Sequence, residues 1–235
     1  MKIFVISDIH GMYKQFEQLL TFWDRESKLV LLGDLVDRGP QSLDVVKKAM
    51  ELKINYGEQI VFCKGNHEVM LLDFLRFPEM HCKFYIPNGG RETIQSFMED
   101  APGAVKELNI IEQAYYMKEQ FADEFSFLES GKLYEIVGEV LLTHAGFESY
   151  YAEVSESTDD DFLWMRDHYL HPNKTPYVNV FGHTPTKKIH KIDDIWLSAD
   201  KKYIGIDGGC AYGGQLNAVL LSNKGEIIET FSVKG

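Results

Sequence analysis

Over the first sixty or so positions, apolar residues come in short dense runs, and each run stops at a polar cluster. Residues 2–7, 29–32 and 60–63 are rich in Val, Ile and Leu and nearly free of polar alternation, the pattern of strands buried on both faces of a parallel sheet. Between them, residues 13–23 and 43–52 carry apolar positions at helical spacing. A further helix is expected from about 67 to 77, ended by Pro78, whose ring cannot continue a helical ladder. This is βαβαβα order. From 87 to 130 the pattern turns helical, with candidates at 92–97, 105–117 and 121–128 separated by Gly and Pro, and the segment reads as a cap. After Gly131 it turns strand-rich, at 132–137, 139–142, 177–181, 203–206, 218–221 and 227–233. Two sheets are implied, within one domain spanning 1–235.

Composition narrows the classes. With 24 basic and 36 acidic residues the formal charge is −12, which argues against a broad nucleic-acid-binding face or a membrane-surface role. An anionic substrate stays compatible, because a pair of divalent cations makes a site locally positive whatever the surface carries. No apolar run approaches the roughly 20 residues needed to cross a bilayer, and the N-terminal run is too short for a signal peptide, so a cytoplasmic location is expected. Cys63, Cys82 and Cys210 are odd in number and widely scattered, as free thiols are. Oligomeric state leaves no mark on the sequence.

The polar clusters that end the runs carry the chemistry. They are Asp8-Ile9-His10-Gly11, Gly33-Asp34-Leu35-Val36-Asp37-Arg38-Gly39, Gly65-Asn66-His67-Glu68, His144 in Leu-Leu-Thr-His-Ala-Gly and His183 in Gly-His-Thr-Pro. Ligands placed at the carboxyl ends of strands converge on one sheet edge, where open α/β sheets bind and react. Asp8 and His10 are two apart, so in extended backbone both point to one side and can share a metal. The two oxygens of Asp34 can serve two cations at once. Asn66 offers a neutral carbonyl oxygen, and His144 and His183 offer imidazole nitrogens. Such mixed O and N donors without thiolate suit two divalent ions, Mn²⁺ first with Fe or Zn²⁺ as alternatives, and suit Ca²⁺ poorly.

Arg38 would bind phosphate oxygens bidentately, a geometry lysine cannot reproduce; a structural ion pair with Asp37 or Asp34 is the alternative. His67 is a candidate proton donor whose partner Asp37 fixes its tautomer and raises its pKa; a contact at the helix start is the alternative. Glu68 reads as a first-turn acid favoured by the helix dipole. Asp159-Asp160-Asp161 reads as a solvated loop or helix start rather than a metal site. His81, His168, His171 and His190 lack the strand-end setting and read as surface residues.

Taken in order, DIHG, GDLVDRGP, GNHE, THAG and GHTP resemble the calcineurin-like metallophosphoesterases. More narrowly they resemble the phosphoprotein phosphatase family in its compact form, which includes the phage lambda protein phosphatase and the bacterial symmetrical bis(5′-nucleosyl) tetraphosphatases. The resemblance runs from Lys2 to about Leu221 and is weak between 87 and 130. It implies an α+β fold of αββα type, a two-sheet β-sandwich flanked by helices. It makes Asp8, His10 and Asp34 ligands of one metal, and Asp34, Asn66, His144 and His183 ligands of the other, with Asn66 also facing substrate. It pairs His67 with Asp37 and adds Arg166, in Trp164-Met165-Arg166, as a second phosphate-contacting arginine beside Arg38. The implied activity is hydrolysis of phosphomonoesters, including phosphoserine and phosphothreonine in proteins, by in-line attack of a metal-bridging hydroxide. The partner is then a phosphorylated protein or a small phosphoester. Symmetrical cleavage of a dinucleoside tetraphosphate is the alternative, and an inactive relative that only binds a phosphorylated ligand is a second.

Overall fold

The computed structural model describes residues 1–235. The first part realises the expected order: β1 (Lys2–Ile6), α1 (Tyr13–Leu20), β2 (Lys28–Leu32), α2 (Ser42–Tyr56), β3 (Ile60–Cys63) and α3 (Asn66–Arg76). Helices α4 (Pro78–Tyr85), α5 (Gly90–Phe97), α6 (Gly103–Lys106), α7 (Ile110–Gln120) and α8 (Ala122–Glu129) follow. The remainder is β4 (Tyr134–Val137), β5 (Val140–Thr143), α9 (Asp159–Trp164), β6 (Val178–Phe181), α10 (Thr186–His190), β7 (Trp196–Leu197), β8 (Tyr203–Gly205), β9 (Gln215–Ser222) and β10 (Ile227–Lys234).

Two five-stranded sheets form, ordered β10-β9-β1-β2-β3 and β4-β5-β6-β8-β7. Within the first, β1, β2 and β3 are parallel; within the second, β5, β6 and β8 are parallel. Alternation along each strand assigns the layers. Ile3 and Val5, with Val30 and Leu32, face the second sheet and meet Val140, Leu142, Val180 and Ile204 in a core between the sheets. Phe4, Ile6, Leu29 and Leu31 face the other way, into a larger core with α1, α2 and α3. Residues from α5, α7 and α8, among them Phe97, Met117 and Phe125, complete that same core. The outer face of the second sheet is covered by a smaller aromatic layer around Phe147, Phe181 and Tyr203. Helix, sheet, sheet, helix is the resulting stack, with no helix long and apolar enough to cross a membrane.

Several boundaries depart from the sequence pattern for local reasons. Pro78 ends α3 but then sits at the first position of α4, where its missing N–H and fixed φ are harmless. The expected helix at 105–117 breaks in two because Asn109 caps α7, its side chain accepting from Ile111 N and Glu112 N. The Asp159-Asp160-Asp161 run is a helix start: Asp161 Oδ2 accepts from Thr158 N while Thr158 Oγ1 caps Asp161 N. His168 corrects its expected surface placement, being buried with Nε2 3.0 Å from Asn179 Oδ1 and packed against Phe181 and Tyr203.

Candidate metal centre and active site

Every parallel strand that enters the site delivers its polar residue at the same edge. Asp8 and His10 follow β1, Asp34 follows β2, Asn66 opens α3 after β3, His144 follows β5, His183 follows β6 and Asp207 follows β8. All seven are buried. The turns that carry them bend sharply. Asp8, His10, Asp34, Asp37, Arg38 and His183 are six of the nine non-glycine residues with positive φ, a conformation costing roughly 1–2 kcal/mol each for a side-chain-bearing residue. Strain concentrated in this way marks a functional site. The backbones also approach closely: a Cβ on Gly65 would collide with Asp34 Oδ1, and one on Gly182 with Asp8 Oδ2.

Polar cross-links hold these turns. Glu68 is fully buried; its Oε2 accepts from Asp34 N at 2.9 Å and Gly65 N at 2.7 Å, and its Oε1 accepts from Leu35 N at 2.7 Å. It therefore clamps the β2 turn to the start of α3, more than a helix-dipole contact would do. Asp37 Oδ1 accepts from Tyr85 and Thr93 hydroxyls, both at 2.7 Å, and Arg38 N donates to Gly89 O at 3.0 Å. The helical segment beyond α3 thus reaches the site through α4, the start of α5 and the turn between them.

The histidine tautomers point their free nitrogens inward. His10 Nδ1 donates to Val36 O at 2.8 Å and His144 Nδ1 to Leu32 O at 2.9 Å, which leaves each Nε2 with a lone pair. His144 Nε2 then lies 3.1 Å from Asn66 Oδ1 and 3.4 Å from Asp34 Oδ1, and His10 Nε2 lies 3.4 Å from Asp34 Oδ2. Acceptors facing acceptors in a buried space repel unless a cation lies among them. Asp34 Oδ2 and His183 Nε2 are moreover buried without a hydrogen-bond partner. Two groups of donors result, His10, Asp34 and His67 in one and Asp34, His144 and His183 in the other, with Asp34 common to both. The donor set therefore fits a pair of metal ions. Asp8 lies outside both groups; its oxygens accept from His183 N at 3.1 and 3.0 Å and touch Ser7 Oγ.

Burial sets the charge states. It pushes the Asp8 carboxyl well above its ordinary range, with Asp207 and Asp34 adding to the rise and His144 opposing it. His10 is pushed well down by burial, then by His67 and Arg38, and His183 is pushed down by burial, then by His144, Arg166 and His67. Neutral imidazoles are the form that binds metal. The His67–Asp37 pair, with Nδ1 2.7 Å from Oδ2, departs from the sequence expectation. Burial followed by Arg38, His144 and Arg166 pushes His67 down, while burial pushes Asp37 up to about 7. Desolvation, with Arg38, His144 and Arg166 acting in the same direction, outweighs the carboxylate.

Arg38 reaches His10 Nε2 with its guanidinium, and Arg166 Nη1 donates to His183 O at 3.0 Å. Both line a cavity of about 460 Å³ beside the donor groups, together with His10, His183, Lys187, Lys188, Asp207 and Tyr212. Sequence reading did not single out Lys187, Lys188, Asp207, Tyr212, Tyr85 or Thr93. Only Asp207, directly after the apolar run of β8, carries the same strand-end signal as the others.

This fold and this donor set define a metallophosphoesterase. The chain belongs to the calcineurin-like phosphoesterase family, whose model matches residues 1–215. Among curated proteins it is similar to the asymmetrical bis(5′-nucleosyl)-tetraphosphatase PrpE of Geobacillus sp., 28% identical over 99% of this chain and 94% of the relative. Among solved structures, a "putative diadenosine tetraphosphatase" shares the fold with a TM-score of 0.65 at 21% identity, covering 100% of this chain and 93% of that one. A protein serine/threonine phosphatase from Saccharomyces cerevisiae does so with a TM-score of 0.63 at 17% identity, covering 98% and 79%.

Proposed function

We propose that this protein hydrolyses dinucleoside polyphosphates, cutting a phosphoanhydride asymmetrically, with two divalent cations of which Mn²⁺ is the first candidate. The observation that carries the substrate class is that four cationic side chains, Arg38, Arg166, Lys187 and Lys188, line the one cavity that His10 and His183 also line, Lys187 lying 3.7 Å from Asp193 Oδ1. A single phosphoryl group is satisfied by two arginines. Lys187 and Lys188 in α10 add positive charge to the same cavity beyond that of the two arginines, which serves a substrate carrying more phosphates than the one attacked. The full-length similarity to a tetraphosphatase supports the same reading.

In this reading Asp8, His10 and Asp34 hold one ion, and Asp34, Asn66, His144 and His183 hold the other. When bound, the ions supply Lewis acidity toward water and the phosphoryl group. Arg38 and Arg166 neutralise charge that grows on the phosphoryl oxygens, a fixed electrostatic contribution needing no reorganisation. Asp37, held by Tyr85 and Thr93, keeps the proton on His67 Nδ1 and so fixes how His67 Nε2 faces the leaving group.

Product analysis tests the proposal. Mn²⁺-loaded enzyme is expected to convert diadenosine tetraphosphate to ATP and AMP faster than it releases phosphate from a phosphoserine or phosphothreonine peptide. Two ADP per substrate would indicate the symmetrical reaction. Faster phosphopeptide turnover would restore the phosphomonoester reading, and no turnover of either would point to a phospho-ligand-binding relative.

A further inference from the structure

Part of the cavity lining comes from a turn that plays no part in the proposed catalysis. After β8 the chain runs Asp207-Gly208-Gly209-Cys210-Ala211-Tyr212-Gly213-Gly214, and Gly209, Ala211, Tyr212 and Gly214 all line the cavity. The turn is fixed by its own backbone. Gly209 N donates to Asp207 Oδ1 at 2.8 Å, Tyr212 N to Gly209 O at 2.9 Å, Gly213 N to Cys210 O at 3.1 Å and Gly214 N to Gly209 O at 3.1 Å. Gly209 and Gly213 have φ of 67° and 77°, and a Cβ on either would meet nothing within 4 Å. Beside Tyr212 there is therefore open space walled by residues with little or no side chain.

Tyr212 itself is 68% exposed. A large aromatic held out to solvent on a well-bonded turn forgoes the burial that rings usually gain. Its ring centroid lies 5.0 Å from the Arg38 guanidinium carbon, close enough for a cation–π contact that orients it. A flat apolar surface thus stands next to the phosphate-binding cations, at a cavity of about 460 Å³, within the roughly 300–1,000 Å³ usual for small-molecule sites.

We infer that Tyr212 is the platform on which one nucleobase of the substrate stacks, so that this turn selects nucleotides over base-free polyphosphates. The inference rests on the proposed dinucleoside polyphosphate activity and adds its base-binding subsite. Stacking is tolerant of base identity because every base has a π-face, so adenine and guanine nucleotides are expected to use it alike.

The test compares ADP with inorganic pyrophosphate as competitive inhibitors of nitrophenyl phosphate hydrolysis by the Mn²⁺-loaded full chain; the two differ by the nucleoside. In the wild type, ADP binds more tightly than pyrophosphate. In Tyr212→Ala the Ki of ADP rises about 5- to 100-fold relative to that of pyrophosphate, the range corresponding to one base–aromatic stack. Tyr212→Phe keeps the wild-type ratio. If Tyr212 only steadied Arg38, both Ki values would rise together; an unchanged ratio in Tyr212→Ala, by either route, overturns the inference. Failure of the parent reading looks different. The wild type would then not cleave diadenosine tetraphosphate, while the Ki ratio would still report whether a base stacks on Tyr212.

Discussion

The two sheets meet at one site but hold their contributions in different ways. The first sheet delivers Asp8, His10, Asp34 and Asn66 from turns in which Asp8, His10, Asp34, Asp37 and Arg38 all have positive φ. Those turns are held by buried polar bonds from Glu68, Tyr85 and Thr93. The second sheet delivers His144, Arg166 and His183, and behind them lies aromatic packing: Tyr169 stacks on Phe181 at 5.6 Å, and His168 meets Phe181 edge-on at 4.6 Å. Polar bonding gives exact angles to strained carboxylate turns. Packing suffices for imidazoles, whose orientation needs one backbone contact each. Changes of charge should therefore damage the first region most, and changes of pH or packing the second.

Asp34→Asn is the largest test of that contrast, because Asp34 is common to both donor groups. Turnover should fall on the order of 10³-fold or more, given the several kcal/mol that metal assistance supplies. Calorimetric titration with Mn²⁺ should show weakened binding at both sites. The metal-free variant should melt at a higher temperature than metal-free wild type, since a buried oxygen without a partner has been removed. A variant that melts lower, or that still binds two ions at wild-type affinity, would break the comparison.

His67→Gln sharpens it within the first sheet. If His67 takes up a second proton at Nε2 when the substrate's phosphate charge is bound beside it and passes that proton to the leaving oxygen, alkyl phosphates should slow by about 10²- to 10⁴-fold. Nitrophenyl phosphate, whose leaving group scarcely needs a proton, should slow far less. Equal losses on both would confine His67 to holding structure.

The smallest expected effect lies in the second sheet. Burial pushes His168 down to about 3, so its folded pKa lies below the unfolded value near 6.5. The neutral form is the one that folds. Its contribution is present above pH 6.5 and is lost as pH falls toward 3, because the unfolded chain takes up the proton first. Between pH 7 and 5 this single group should cost the wild type about 2 kcal/mol. Urea denaturation of wild type and His168→Gln at both pH values should show a correspondingly shallower decline in the variant. Parallel declines would mean that His168 titrates in the folded state at its ordinary pKa.

Much of this protein was legible because strand burial and the placement of candidate metal donors share one signal. An apolar run followed within three residues by Asp, Asn or His can be read in one dimension, and β1, β2, β3, β5 and β6 all end that way. The βαβαβα order and the two-sheet stack follow from the same runs. What escaped depended on residues far apart in the chain. Glu68 looked like an ordinary first-turn acid, yet it bonds Asp34 N and Leu35 N, 34 and 33 positions away. His168 looked exposed because no local pattern records the Phe181 and Tyr203 rings that bury it. The pKa of His67 was expected to rise from its one sequence-evident partner; burial, then Arg38, His144 and Arg166 brought in from elsewhere in the chain, reverse the sign.

The sequence by itself determined the opening βαβαβα order and the polar residues that follow its strands, since periodicity and local chemistry act over a few residues, while the ordered motifs carried the resemblance to the family. Tertiary structure alone decided which acceptors face each other, which turns carry strain, and that Lys187, Lys188 and Tyr212 line one cavity with Arg38 and Arg166. Electrostatics and desolvation act through space, and distances through space are set only when both sheets have packed.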